Sequence, residues 1–171
     1  MKSTAVVALL LLGVACGGSG GRSAGGSSDA WMGLRIVDVD GKAFTIEDLR
    51  GKPVLVENFA MWCSNCLRQL GDTQKAAAEA GDSAHFVALS VEVGNDAATV
   101  AAYAEEHGFD DIRFAVMSSE MVDAMHDAYG ARALNPPSTP KIAVSAEGRA
   151  AGMETGFESP REIAAKLDDQ R

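Results

Sequence analysis

Cys63 and Cys66 stand three positions apart in the run Trp62-Cys63-Ser64-Asn65-Cys66. At that spacing both sulfurs fall on one side of a helix's first turn, the arrangement of a dithiol that opens and closes a disulfide. A sulfur at a helix start meets the positive end of the macrodipole and unpaired N–H groups, which favour the thiolate, the nucleophilic form. Cys63 is therefore the candidate nucleophile, attacking a disulfide sulfur to form a mixed disulfide. Cys66, about one turn on and nearer the interior, attacks Cys63 in turn and releases the partner. The competing chemistry for such a pair is half of a zinc site. No second CxxC exists, and His85, His107 and His126 are scattered along the chain.

The elements that must position this pair are legible. Before it, Pro53-Val54-Leu55-Val56-Glu57-Asn58-Phe59 reads as a strand rich in β-branched and aromatic residues. After it, Leu67 to Ala80 has helix-forming composition and ends at Gly81. Leu34 to Asp38 alternates as a strand, Asp40-Gly41 signals a hairpin turn, and Ala43-Phe44-Thr45 is the return strand. Ile46 to Leu49 reads as one helical turn closed by Gly51. His85 to Val91 is nearly continuously apolar, as a strand covered on both faces should be. Asn95 or Asp96 caps a helix that stops at Gly108, Ile112 to Val116 is another strand, and Ser118 or Ser119 caps a helix running to Tyr129. A proline-rich loop, Ala131 to Pro140, leads to strand Ile142-Ala143-Val144, turn Glu147-Gly148 and a partner strand Arg149 to Met153. Ser159-Pro160-Arg161-Glu162 is a capping box opening a last helix through Leu167. This order predicts an α/β fold with a central mixed sheet, helices on both faces and an N-terminal β-hairpin.

The chain has 171 residues, 47% of them hydrophobic, and a formal charge of −9. That is enough for one domain with a real core, and it excludes a general nucleic-acid binder, which needs a basic face. Three cysteines are too few for a disulfide-stapled miniature. At the N-terminus, Met1-Lys2 is a minimal charged region and Ala5 to Leu12 an apolar run too short to span a bilayer as a mature helix. The run ends in Leu12-Gly13-Val14-Ala15-Cys16, similar to the lipobox of bacterial lipoproteins with Gly13 where Leu is usual. That likeness makes residues 1–15 a signal peptide and Cys16 the lipidated first residue of the mature chain. The rival readings are an uncleaved anchor and a plain secretory peptide; all three export the chain, into a setting where disulfides persist. Gly17 to Ser28, almost all Gly and Ser, forms with Cys16 a flexible linker over 16–30 that spans roughly 20 Å as a random coil. The domain then occupies 31–171.

These residues resemble the thioredoxin superfamily and, within it, the TlpA/ResA-like branch of lipoprotein and periplasmic proteins, related to the AhpC/TSA–Redoxin group. The likeness covers about Leu34 to Leu167. It is carried by Asp38-Val39-Asp40-Gly41-Lys42, by Asp48-Leu49-Arg50-Gly51-Lys52-Pro53-Val54, by Phe59-Ala60-Met61-Trp62-Cys63, and by Thr139-Pro140 followed by Lys141-Ile142-Ala143-Val144 and Gly148. The intervening pair Ser64-Asn65 is not a usual one, and Pro136-Pro137 adds rigidity near the site. The resemblance implies a thioredoxin-like fold, a redox-active Cys63–Cys66 disulfide and no other cofactor.

It also implies roles for further residues. Glu57 takes the place of a buried strand acid that accepts the proton of Cys66; the alternative is that Asn58 points inward and Glu57 faces solvent. Pro140 takes the place of a cis-proline whose turn frees the Thr139 backbone to pair with substrate as an added strand. Trp62 shields the pair and faces substrate, or else packs in the core. Asn65 donates to a thiolate or tolerates the turn. Proteins of this branch mostly reduce disulfides of exported proteins, apocytochromes c among them, and are recharged by a membrane electron donor of the CcdA/DsbD type. The expected partners are therefore disulfide-bearing exported proteins, that donor, and the membrane through the lipid anchor. The expected place is the cell envelope, facing the periplasm or exterior.

Two other functions fit parts of the pattern. A copper-binding or metal-delivery lipoprotein on the same fold would use a wider cysteine spacing plus a histidine, where this chain has CxxC and no histidine placed by pattern. Separately, Met117, Met121 and Met125 recur every four residues beside His126, as a soft-ligand copper site would. The same spacing is also that of an apolar helix face packed on a sheet. A peroxiredoxin-like peroxidase needs a lone peroxidatic cysteine with Pro and Thr before it, and the stretch before Cys63 has neither.

Overall fold

The computed structural model describes residues 29–171. The expected signal peptide, Cys16 and most of the expected linker lie outside the described residues. Strands β1 (Ile36–Val37) and β2 (Ala43–Phe44) form the N-terminal hairpin. The remaining elements are β3 (Val54–Phe59), α1 (Ser64–Ala80), β4 (His85–Ser90), α2 (Ala97–His107), β5 (Arg113–Val116), α3 (Ser119–Tyr129), β6 (Lys141–Val144) and α4 (Pro160–Asp168). The main sheet runs β5-β4-β3-β6, with β3, β4 and β5 parallel and β6 antiparallel to β3. This is the expected mixed sheet, with one difference. Arg149 to Met153 forms no full strand; it meets β6 through isolated bridges at Lys141–Glu154 and Val144–Ala150.

Every residue of β3 is buried, as a central strand covered on both faces requires. Its side chains alternate between two core layers. Leu55 and Phe59 join α1, α2 and α4 residues such as Cys66, Leu70, Tyr103 and Ile163. Val54 and Val56 join Trp31, Met121, Met125 and other residues of the opposite layer. The capping residues act as expected. Asp96 accepts from the Thr99 N–H, Ser118 from Met121, and Ser159 with Glu162 closes a full capping box. Gly108 ends α2 in the left-handed conformation, at φ 67°.

The hairpin is pinned to the sheet by Asp38. Its Oδ1 accepts from the N–H groups of Asp40 and Lys42, and its Oδ2 takes the Arg113 guanidinium at 2.6 Å. Burial alone would raise this carboxyl, but Arg113 and the Lys42 N–H outweigh it and hold it below the usual range. Arg113 in turn lies over the Phe44 ring at 3.7 Å. Asp38→Ala is expected to lower stability by roughly 2 kcal/mol, because a charged hydrogen-bond hub is lost. In the native protein the Asp38 contribution is present above its unfolded pKa and is lost as pH falls through the lower folded one. Urea unfolding of both proteins at neutral and acid pH checks this: the gap should narrow in acid.

Candidate functional site

α1 begins one residue after Cys63, which is its N-cap. The Cys63 sulfur accepts from the Cys66 N–H at 3.1 Å. A sulfur thus occupies the place where serine or aspartate ordinarily satisfies a free helix donor, and a thiolate there is met by N–H groups. Cys66 lies deeper, at 0% exposure against 3% for Cys63, and both are free thiols. The Cys66 thiol donates to the Pro136 carbonyl at 3.1 Å. Burial pushes this thiol well above the ordinary range, and the neighbouring Cys63 and Glu57 push it further. Both sulfurs are buried but unequal: one caps the helix at the positive end of its dipole, the other is a deeper, proton-holding thiol.

Glu57 points into the same layer as the cysteines. It is 1% exposed, one Oε accepts from the Thr73 hydroxyl at 2.7 Å, and the other has no hydrogen-bond partner. Burial raises its carboxyl to about 7, against the opposing pull of the Thr73 hydrogen bond and the Lys141 ammonium. The alternatives for Glu57 and Asn58 resolve in an unforeseen way, because both are buried, on opposite faces of β3. Asn58 donates to the Ala133 carbonyl at 3.0 Å in the other layer. A carboxyl that titrates near neutrality beside a buried thiol can take the proton of that thiol.

The proline-rich loop departs from expectation. Among the described residues no peptide bond is cis, so Pro140 follows Thr139 in trans. Nor is the Thr139 backbone free: its N–H donates to the Pro136 carbonyl at 2.7 Å and its carbonyl accepts from Lys141 Nζ at 2.9 Å. Thr139 itself is 1% exposed. The cause is a single 3-10 turn, Pro136–Ser138, which two consecutive prolines pre-organise. The chain then reverses at Thr139 in the left-handed region, at φ 48°. That turn, not Thr139-Pro140, faces the cysteines. The Pro136 carbonyl receives the Cys66 thiol, and the Pro137 carbonyl accepts from Asn65 Nδ2 at 3.0 Å. Asn65 thus ties the CxxC to the loop instead of donating to sulfur. The Pro140 carbonyl accepts from the Asn58 N–H and extends the β6 ladder.

Trp62 is 66% exposed, which removes the core-packing alternative and leaves a large apolar ring beside the sulfurs. Glu92 fixes the approach to it, accepting from the Met61 N–H at 2.9 Å. Met117, Met121 and Met125 are buried in the layer opposite the cysteines, so their spacing is that of a core face. Thr73, Lys141 and the Pro136 and Pro137 carbonyls belong to the site and carry no motif.

A thioredoxin-like sheet with a CxxC at the start of its first long helix defines a class, the thioredoxin-fold thiol proteins. Residues 30–147 match the model of the AhpC/TSA family, and the chain belongs to that family. Fold and pair together make it a thioredoxin-like thiol–disulfide oxidoreductase. Among solved structures it is similar to the exposed lipoprotein thioredoxin of Streptococcus pneumoniae, at 25% identity over 80% of this chain and 98% of that one, with a TM-score of 0.64. It is similar in fold to a thioredoxin-family thiol:disulfide interchange protein of Chlorobium tepidum, at 22% identity, 80% and 92% coverage and a TM-score of 0.61. The same holds for a secreted disulfide oxidoreductase of Mycobacterium tuberculosis, at 15% identity, 82% and 98% coverage and a TM-score of 0.62. No curated protein matches the chain.

Proposed function

We propose that the protein is an exported, lipid-tethered reductase of substrate disulfides. The observation that carries the proposal is the unequal pair of sulfurs with Glu57 beneath it. The Cys63 thiolate attacks one sulfur of a substrate disulfide, forming a mixed disulfide and expelling the other substrate sulfur as a thiolate. Cys66 gives its proton to Glu57, and its thiolate attacks the Cys63 sulfur. The Cys63–Cys66 disulfide forms, the second substrate thiolate leaves, and two electrons have passed to the substrate. A membrane dithiol donor of the CcdA/DsbD type then reduces the pair again. Trp62 and the exposed face of Pro137 supply the apolar surface on which a substrate segment rests.

Support for export and tethering comes from the apolar run Ala5 to Leu12, from Cys16 after small residues, and from relatives described as an exposed lipoprotein and a secreted oxidoreductase. Among the described residues no helix is long and apolar enough to cross a membrane. The deciding measurement is the reduction potential of the Cys63–Cys66 couple, equilibrated against dithiothreitol or glutathione. A value near roughly −270 mV is expected of a reductase, and one near roughly −120 mV would make the protein an oxidant.

A further inference from the structure

The segment Thr155-Gly156-Phe157-Glu158 is stitched to the cysteine site from two sides. On the α1 side, the Gln69 side chain donates to the Glu158 carbonyl at 3.1 Å and accepts from the Glu158 N–H at 2.8 Å. On the loop side, the Gly156 N–H donates to the Ser138 carbonyl at 2.8 Å, and the Arg132 guanidinium donates to the Thr155 hydroxyl at 3.1 Å. Ser138 closes the same 3-10 turn whose Pro136 carbonyl receives the Cys66 thiol. Phe157 is thereby tied to the turn that faces the sulfurs, yet it is 45% exposed. Its ring carries the Arg68 guanidinium at 4.1 Å. Arg68 shares a face of α1 with Asn65, three positions before it, whose side chain is bonded to Pro137.

We infer that Arg68 is a specificity-determining residue that selects substrate disulfides with acidic side chains beside the reacting cysteine, Arg132 being a second, weaker contact. The inference names the substrate class of the reductase reading above and rests on its first step, attack by Cys63. Charge is the first argument. The chain carries a formal −9, so most of its surface repels an acidic partner. Among the described residues, however, neither Arg68 nor Arg132 makes an ion pair. The neighbouring acids are engaged elsewhere: Asp72, one turn after Arg68, pairs with Lys75, and Glu154 and Glu158 both pair with Lys166. The second argument is preorganisation. The Phe157 ring and the Thr155 hydroxyl each hold a guanidinium in place, so less side-chain freedom is lost when a carboxylate arrives. The third is polarity. Glu92 follows β4 and bonds the Met61 N–H next to Trp62, whereas Thr155 and Phe157 are tied to the turn that leads into β6. β4 and β6 flank β3 on opposite sides. A segment lying from Trp62 across Pro137 to Phe157 thus meets an anion at one end and two cations at the other, which favours one direction for a chain with acidic residues at the Phe157 end.

The test uses the full chain in its reduced form and two synthetic peptide disulfides of equal length, one with aspartates and one with lysines flanking the cysteine. In the step observed, the Cys63 thiolate bonds to one peptide sulfur and the other peptide sulfur leaves as a thiolate. Each rate is divided by the rate with hydroxyethyl disulfide, which is neutral and has no flanking side chains, so a change in the reactivity of Cys63 itself cancels. At low ionic strength the acidic peptide is expected to react about tenfold faster than the basic one, and the ratio should fall towards one in about 0.5 M salt. Arg68→Gln should lower the low-salt ratio about threefold, Arg68→Glu should bring it to about one or below, and Arg132→Glu should lower it by less than Arg68→Glu does. An arginine that merely covers the Phe157 ring predicts otherwise: Arg68→Gln and Arg68→Glu would then behave alike and leave the ratio where it was. A wild-type ratio near one at low salt, or a ratio that Arg68→Glu leaves in place, overturns the inference. An oxidising reduction potential overturns the reductase reading alone, because the first attack is still measured and its preference still decides the role of Arg68.

Discussion

Replacing Cys63 by serine abolishes disulfide exchange, a loss on the order of a thousandfold or more, whereas replacing Cys66 by serine stops the reaction halfway. The asymmetry follows from where the sulfurs sit. Cys63 caps α1, where its sulfur already accepts an N–H, and it lies beside the exposed Trp62. A serine hydroxyl can make the same hydrogen bond but cannot ionise near neutrality, so the helix keeps its cap and loses its nucleophile. Cys66 is fully buried and its thiol is bonded to the Pro136 carbonyl, so it cannot reach a folded substrate first. Without it the first attack proceeds and the mixed disulfide accumulates. Mass spectrometry of each variant, after incubation with an excess of a disulfide-bearing protein, should show a covalent adduct on Cys66→Ser and none on Cys63→Ser. Adducts on Cys63→Ser, or full turnover by Cys66→Ser, would reverse the assignment. Turnover of hydroperoxide by Cys66→Ser at the wild-type rate would point instead to a peroxidase that needs a single sulfur.

The parts of this site that were readable from sequence are those governed by local rules. The CxxC before a helix, the glycine stops at Gly81, Gly108 and Gly130, and the caps at Asp96, Ser118 and Ser159 all depend on neighbours a few positions away. The continuous apolar run of β4 depends only on coverage of both faces, and it was equally plain. The loop opposite the cysteines was misplaced because its position depends on a count. Thr139-Pro140 matches a familiar dipeptide, but Pro136-Pro137 inserts a 3-10 turn that carries the facing carbonyls three to four positions upstream. Lys141 was invisible for a different reason. Lysine ordinarily reads as a surface residue, and only tertiary hydrogen bonds to the Thr139 and Gly156 carbonyls, with Glu57 opposite it in register, make its burial tolerable. Arg149 to Met153 has strand composition but meets β6 only through isolated bridges and single bonds, such as the Ala151 N–H to the Ala143 carbonyl at 2.8 Å.

Glu57→Gln should change stability in a way that depends strongly on pH. The folded protein raises this carboxyl from 4.5 to about 7, chiefly because burial disfavours its charge. Below the unfolded value both states hold the proton and Glu57 adds no pH dependence. Between the two values the folded state binds the proton more tightly, so native stability falls as pH rises, by about 3 kcal/mol in total, and it levels off once the folded carboxyl has ionised. A glutamine of the same shape has no such titration. Relative to Glu57→Gln, the wild type is therefore expected to lose about 3 kcal/mol between pH 4 and pH 8. Lys141 changes the size of this gap but not its sign. In the variant it loses an anionic neighbour that favours its charge, so its already lowered pKa falls further, and a lysine lowered by folding makes stability rise with pH. Urea unfolding of the reduced proteins at several pH values measures the gap, and a difference that stays flat from pH 4 to pH 8 would place Glu57 outside this titration. The same substitution should slow the resolving step by about a hundredfold and remove its inflection near pH 7, since general-base assistance has that size and Cys66 would lose its acceptor. A site that keeps a destabilising carboxylate at neutral pH, next to a thiol that burial keeps protonated, holds stability in reserve for one proton transfer. Loss of the pH-dependent stability and loss of fast resolution should therefore appear together in one variant.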